Sequence, residues 1–314
     1  MKNGHPIRVG VVGVGYVGQH HARIYSEMTG VELVGVVDID ETRLQELGGR
    51  YRIQTCRDYR ELMGRVDAVS VAVPTLVHYS IAKEFLERGV DVLVEKPIAQ
   101  SLAQADELVG IAKADGRIFQ VGHIERFNGA VKALETVVRS PGFIECHRLG
   151  PFAHRNTDVD VVLDLMIHDI DIVLNLIKSP VVAVTAVGVP VISDQVDIAN
   201  ARLQFESGCV ANLTASRVSV ERVRRVRIFQ RDTFISLDYS QQEIAVYHRI
   251  PAADSSADTP PTIVKEEIPI DKAEPLRVEL ESFIECVQTR RRPLVSGEDG
   301  RDALKVASQI MEKL

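Results

Sequence analysis

Residues 8–18 read Arg-Val-Gly-Val-Val-Gly-Val-Gly-Tyr-Val-Gly. The first half is a short Val-rich run of the kind that makes a strand buried on both faces. The second half, Gly13-Val14-Gly15-Tyr16-Val17-Gly18, opens a helical pattern over His20–Met28. Glycines at this spacing allow a tight turn and let a pyrophosphate approach a helix N-terminus, whose amides attract anions. The spacing alone is weak evidence. Its context is stronger, because Asp38 closes the next apolar run 20 residues beyond Gly18, where a carboxylate can accept hydrogen bonds from an adenosine ribose. A dinucleotide site built on Gly13, Gly15, Tyr16, Val17, Gly18, Asp38 and Ile39 is therefore expected. Asp38 would repel a 2′-phosphate and the uncharged Ile39 follows it, so NAD is expected over NADP.

Outward from this stretch, apolar runs recur at Glu32–Val37, Asp67–Val73, Asp91–Glu95 and Ile118–Gly122. Amphipathic segments separate them. Ile81, Ala82, Phe85 and Leu86 share a helical face that Gly89 ends, and Ser101 with Gln104 has the form of a capping box. The alternation predicts an α/β fold, a doubly wound parallel Rossmann sheet over residues 1–122. Beyond it the rhythm changes. Helices are expected over Phe127–Arg139 and Val159–Ile177, with strands near Phe143–Arg148 and from Val181 to Tyr247, punctuated by turns such as Glu206-Ser207-Gly208. This predicts a second, α+β domain over 123–314 with a largely antiparallel open sheet, for substrate binding and oligomerisation. Pro251–Thr262 reads as an exposed, mobile hairpin loop, and two helices follow Glu274, the last (about 298–314) able to pack back on the first domain.

Composition narrows the function classes. A chain of 314 residues suits two domains. Its net charge of −7 argues against nucleic acid as a partner, which needs a basic surface. The densest apolar stretch, Val159–Ile177, is broken by Asp160, Asp164, His168, Asp169, Asp171 and Asn175, so no membrane span is expected. The N-terminus carries no basic-then-apolar signal, and Cys56, Cys146, Cys209 and Cys286 are scattered. Reduced thiols in a cytoplasmic protein without a metal are expected.

Three further patterns carry chemistry. Val69–Val73 runs into Pro74-Thr75 with His78 beyond, at a strand's carboxyl end where α/β sheets bind ligands; Thr75 serves equally as a helix cap. Glu95-Lys96-Pro97 follows the strand Asp91–Val94. Pro97 restricts Lys96 to extended backbone, and a lysine beside a nicotinamide can hold a hydroxyl and stabilise the developing alkoxide. By itself the tripeptide is more commonly a surface loop. Finally, Asp160, Asp164, His168, Asp171 and Asn175 fall within roughly 80° of arc at about 100° per residue. A narrow polar stripe on an apolar helix predicts a buried helix facing a wet cavity, with Asp164 orienting His168. The alternative is a core histidine satisfied by a neighbouring carboxylate. Arg126, Asn128 and Arg155 are candidate substrate contacts by position. Arg217, Arg222, Arg224, Arg225, Arg227 and Arg231 could grip a diphosphate, but strand alternation favours surface or interface ion pairs.

Taken together, the Gly-x-Gly-x-x-Gly turn, Glu95-Lys96-Pro97, Asp164-x-x-x-His168 and the terminal Asp302–Ala307 stretch resemble the Gfo/Idh/MocA family of sugar and cyclitol dehydrogenases. The resemblance implies that Lys96, Asp164 and His168 line a substrate pocket and carry catalysis, and that Pro74, Thr75, His78, Glu95 and Lys96 adjoin the cofactor. The runs Gly150–Asn156 and Asp158–Asp171 are most similar to the subgroup oxidising the 3-hydroxyl of UDP-N-acetylglucosamine. Where many relatives have a Gly-rich segment before the aspartate, this chain has Asp158-Val159-Asp160-Val161-Val162. The expected function is an NAD-dependent sugar dehydrogenase acting on a sugar or UDP-sugar, forming a homo-oligomer (dimer or tetramer) through the C-terminal sheet. A dehydrogenase of free sugars or inositol is the alternative within the class, and a non-catalytic nucleotide sensor the alternative outside it.

Overall fold

The computed structural model describes residues 5–152, 159–250 and 262–314. Strand β1 (Ile7–Val12) is followed by α1 (Gly18–Glu27), β2 (Val31–Val37), α2 (Glu41–Tyr51), β3 (Gln54–Cys56), β4 (Ala68–Val71), α3 (His78–Glu87), β5 (Asp91–Glu95), α4 (Leu102–Ala114) and β6 (Phe119–Gly122). The six strands pair in parallel in the order β3-β2-β1-β4-β5-β6. The expected doubly wound sheet is present. The chain winds outward in opposite directions from β1 and β4, so right-handed crossovers place α1 and α2 on one face and α3 and α4 on the other. The carboxyl ends of β1 and β4 form the crevice where such sheets bind ligands.

Sequence punctuation accounts for the boundaries. Ile81, Ala82, Phe85 and Leu86 are buried along α3, and Gly89 follows with φ +79°. Ser101 accepts from the Gln104 N–H, but the Gln104 side chain accepts from the Gln100 N–H, so only half of the expected capping box forms. Helix α2 and the short β3 were not anticipated. Asp40 caps α2 by accepting from the Thr42 and Arg43 amides, and only Leu44 and Leu47 are buried along it.

The compact unit around this sheet comprises 1–124 and 274–304, which corrects the expected division at residue 122. Helix α7 (Pro275–Thr289) belongs to it: Leu276, Leu280, Phe283, Ile284 and Val287 share one apolar cluster with Val9, Val11, Ala22, Tyr25 and Leu44. Burial of each such side chain is worth about 1.5–3 kcal/mol, enough to fix the helix on this core. The following segment stays with it, since the Val121 N–H donates to Val295 O and the guanidinium of Arg290 pairs with Asp91. Helix α8 (Gly297–Met311) starts in this unit, and the division falls after Leu304.

The second unit holds 125–273 and 305–314. It contains α5 (Gly129–Val137), β7 (Pro141–Leu149), a π-helical turn (Val162–Met166) leading into α6 (Ile167–Ile177), and strands β8 (Val181–Val189), β9 (Ile198–Phe205), β10 (Val210–Ser216), β11 (Val223–Gln230), β12 (Thr233–Asp238), β13 (Glu243–Ile250) and β14 (Thr262–Glu267). These strands form one sheet in the order β14-β13-β12-β11-β7-β10-β9-β8, antiparallel except where β10 meets β7. Gly208 turns the β9–β10 hairpin at φ +86°. Thr262 pairs with Ile250, so β13 and β14 form the hairpin expected there; its loop, 251–261, lies outside the described residues.

Candidate active site

The turn after β1 is built by close approach. Gly13 has φ +85°, and a Cβ there would lie 2.5 Å from Ala72 O; a Cβ on Gly18 would lie 1.8 Å from Gly13 O. No larger residue fits at either position. Gly15 differs, since a Cβ there would meet only an Arg43 guanidinium nitrogen, at 3.5 Å. No side chain caps α1 behind it, which leaves the amides at the helix start available to an anion. The Val14 N–H donates to Asp38 Oδ2 at 2.8 Å and the Asp40 N–H to Oδ1 at 3.0 Å. Each carboxylate oxygen keeps capacity for a ribose hydroxyl. Tyr16, Ile39 and Leu76 are 66%, 85% and 70% exposed in the loops after β1, β2 and β4, an apolar exposure suited to covering a planar ring system. These residues fit a dinucleotide.

A cavity of about 310 Å³ opens beside the turn, lined by Val14, Gly15, Tyr16, Gln19, Leu47 and the charged Arg43, Glu46 and Arg50 of α2. The sequence reading missed the α2 contribution. The available signal was Asp40 as a helix cap followed by Leu44 and Leu47 at helical spacing.

The other residues expected at the cofactor divide. Pro74 and Thr75 lie just beyond β4, and neither caps α3, whose start has no side-chain cap. His78 is 1% exposed, with Nδ1 2.9 Å from Pro97 O and Nε2 2.8 Å from Val73 O. Both ring nitrogens face protein carbonyls. Burial pushes its pKa below the usual imidazole range, against the pull of the two carbonyls and Glu95. Glu95 Oε1 lies 3.2 Å from Nε2 of the fully buried His21. Burial penalises the Glu95 carboxylate, but His21, Lys96 and His78 outweigh it and hold its pKa low. Lys96 follows the last residue of β5, and its peptide bond to Pro97 is cis.

In the second unit, Asp160 Oδ1 accepts from the Val162 N–H at 2.8 Å, and burial raises the Asp160 pKa. Asp164 lies in the π turn and His168 in the first turn of α6; both are half-buried. A π turn takes between four and five residues, so residues four apart stack nearly above one another there. The uniform 100° step does not hold through the π turn, but the four-residue spacing of Asp164 and His168 still keeps them on one face. The second half of the expected stripe is committed elsewhere: Asp171 pairs with Arg126 at 3.4 Å, and Asn175 donates to Glu135 at 2.8 Å.

Behind α6 lies a buried charge network that the sequence reading did not anticipate. Arg148 donates through Nε and Nη2 to both oxygens of Asp169, each at 2.9 Å, and through Nη1 to Glu125 at 2.9 Å. Its guanidinium sits 5.1 Å from the Tyr239 ring centroid. Desolvation disfavours the charge, yet Asp169 and Glu125 hold the Arg148 pKa well above its ordinary value. The signal was present in β7, where Ile144, Cys146 and Arg148 share the inward phase. Arg126 and Asn128, expected as substrate contacts, are buried. Asn128 caps α5 by accepting from the Ala130 N–H and donates to Tyr239 O. Arg155 lies outside the described residues. Arg217 is locked onto Asp197 at 2.8 Å and Val159 O at 2.6 Å, while Arg224, Arg225, Arg227 and Arg231 each have a carboxylate within 4 Å. That is the ion-paired arrangement favoured by strand alternation.

No helix among the described residues is long and apolar enough to cross a membrane. Residues 7–123 match the model of the oxidoreductase family with an NAD-binding Rossmann fold, Gfo/Idh/MocA, and residues 127–233 match the Gfo/Idh/MocA C-terminal domain. The chain is 35% identical over 305 residues to the UDP-N-acetylglucosamine 3-dehydrogenase of Acidithiobacillus ferrooxidans, covering 97% of this chain and 96% of that one. A solved structure of that enzyme superposes with a TM-score of 0.91 at 35% identity, over 98% of this chain and 97% of that one. The myo-inositol 2-dehydrogenase of Thermotoga maritima is 26% identical, over 95% and 93% of the two chains. With both halves matched in order and the NAD turn intact, this chain belongs to the Gfo/Idh/MocA family of NAD-binding oxidoreductases.

Proposed function

We propose that this chain oxidises the 3-hydroxyl of the hexosamine ring in UDP-N-acetylglucosamine. The observation that carries this reading is the 35% identity to a dehydrogenase of that name along nearly the full length of both chains. NAD supplies the hydride acceptor. The hydroxyl proton leaves to Lys96 or His168 while the C3–H bond breaks and the C3–O bond becomes a carbonyl, which balances the two-electron oxidation. Asp164 orients the ring and His168, and where His168 takes the proton the Lys96 amine donates a hydrogen bond to the developing alkoxide. Arg217, Arg225 and Arg227 are engaged with carboxylates, so a diphosphate would have to compete with those pairs.

Turnover of UDP-N-acetylglucosamine, free N-acetylglucosamine and myo-inositol, followed by NADH formation, tests the substrate. Calorimetry with UDP in the presence of NAD tests nucleotide recognition. Turnover of free sugar or inositol without detectable UDP binding at millimolar concentration overturns the reading and leaves the family standing. The inositol alternative is favoured by the match to the Thermotoga maritima enzyme.

We also infer a cytoplasmic homo-oligomer, a dimer or tetramer, formed through the eight-stranded sheet. An aromatic row crosses that sheet: Phe143, Phe229, Phe234 and Tyr247 lie side by side, with ring centroids 5.7, 5.0 and 5.5 Å apart, and Phe229 is 40% exposed. Light scattering after gel filtration gives the mass, and a monomer at micromolar concentration removes this inference.

A further inference from the structure

The parallel ladder between β4 and β5 ends at Val71 and Val94. Beyond it the two chains continue into the Pro74-Thr75 loop and the Lys96-Pro97 loop, and their carbonyls need donors from elsewhere. His78, at the start of α3, stands between them. Its two ring nitrogens lie 2.8 Å from Val73 O and 2.9 Å from Pro97 O. A neutral imidazole carries one N–H, so His78 donates to one of these carbonyls and packs its other ring nitrogen against the second, lying between the two loops where the backbone ladder has run out.

On the other flank of Lys96, Glu95 meets a histidine from the opposite face of the sheet, at ion-pair distance and outside hydrogen-bond geometry. His21, on α1, places Nε2 3.2 Å from Glu95 Oε1 and is fully buried. Glu95 pairs in register with Gly122 on β6, and a Cβ at Gly122 would fall 2.8 Å from the Glu95 carboxylate. That missing side chain leaves the space Glu95 occupies. The residue before Lys96 is therefore contacted by α1 and the residue after it by α3, from the two sides of one sheet.

We propose that His21 and His78 are positioning residues for Lys96. They hold its Cα and the direction of its side chain at the end of β5, and His78 also ties that loop to Val73 in the cofactor crevice. The inference rests on the reading of Lys96 as a catalytic group. A displacement of about 1 Å at a reacting group can cost on the order of a hundredfold in rate, so two flanking anchors are worth their burial.

A double-mutant cycle tests this. The single variants H78F, H21L and K96M, the doubles H78F/K96M and H21L/K96M, and the conservative H78Q and H21Q are compared by kcat, NAD affinity from calorimetry, and thermal midpoint. K96M is read first: a large fall in kcat supports the Lys96 reading, and unchanged turnover overturns both that reading and this inference. With K96M impaired, H78F and H21L are expected to lower kcat about tenfold or more, with NAD affinity held within about threefold. In the K96M background neither should cause a further fall, because the group they position is gone. H78Q and H21Q, which keep a donor, should recover part of the loss. Equal losses with and without Lys96 would mean general destabilisation and overturn the proposal, as would unchanged kcat in both H78F and H21L. Should H78F or H21L not fold, the same comparison is made with H78Q and H21Q.

Discussion

The Val14 N–H donates to Oδ2 of Asp38 across 2.8 Å, so the carboxylate beyond β2 and the glycine turn beyond β1 are joined directly. Asp38 shapes the turn, and as a ribose ligand it would act on the cofactor a second time. Asp38→Ala is expected to raise the NAD KM about tenfold or more, since hydrogen bonds to a charged group are worth about 1.5–3 kcal/mol. It should also improve NADP use, because the repelling charge goes while Arg43 and Arg50 remain in the cavity wall. Steady-state kinetics with both cofactors check this; a kcat/KM ratio left unchanged contradicts the assignment.

Lys96→Ala and His168→Ala should each lower kcat about a hundredfold or more, the usual loss for a positioned acid–base group, while NAD affinity stays nearly intact. Folded protein is verified by circular dichroism before kinetics. Near-normal turnover in either variant removes that residue from the chemistry.

Asp197 offers a stability test that does not involve turnover. It is fully buried, and one oxygen accepts the amides of Val191, Ile192 and Ser193 while the other meets Arg217. Burial alone would raise its pKa, but these donors outweigh it and depress the value far below the ordinary carboxylate range. A depressed folded-state pKa gives stability that is complete above the unfolded value of about 3.9 and is lost as pH falls towards the folded one. Asp197→Asn should therefore cost about 2–4 kcal/mol at pH 7, with the gap to the native chain narrowing progressively below about pH 4. Urea midpoints across pH measure it, and a pH-independent gap would contradict the account.

Much of this architecture was legible because parallel strands leave long apolar runs and the cofactor turn demands glycine. Val9, Val11, Val69, Val71 and Val92–Val94 are all fully buried. The three-residue β3 was not legible, since Gln54-Thr55-Cys56 is too short to show a period. The apolar stripe of α7 was visible, but a stripe does not say which core it joins, and 274–304 went to the first unit. The π turn escaped because four-residue spacing is compatible with two ways of closing hydrogen bonds. His78 looked like a ligand contact because its loop is at the cofactor crevice; that its ring faces two carbonyls depends on residues five before and nineteen after it. Asp169 was the exception to the expected stripe, and both its oxygens accept from Arg148.

That last residue gives the sharpest packing prediction. Arg148 and Asp169 are 3% and 1% exposed and joined by two parallel hydrogen bonds, with Glu125 satisfying the remaining arm of the guanidinium. A buried pair gains little over an apolar pair of the same size, because desolvation offsets most of the attraction. Breaking it is different, since the survivor is left charged and without its partner. Arg148→Met should destabilise the second unit by about 3–5 kcal/mol, having orphaned two carboxylates. Asp169→Leu alone should cost a similar amount. The double variant Arg148→Met/Asp169→Leu should be more stable than either single one, because it removes both halves of the pair and leaves only Glu125 to reorganise towards Arg224, now 3.8 Å away. Because Asp169 adjoins His168, the same variants should lower kcat where the α6 backbone shifts, and the double should recover part of it. Urea denaturation of the four proteins gives the coupling energy directly; additive losses would mean that the two side chains act independently and that the network does not fix the helix.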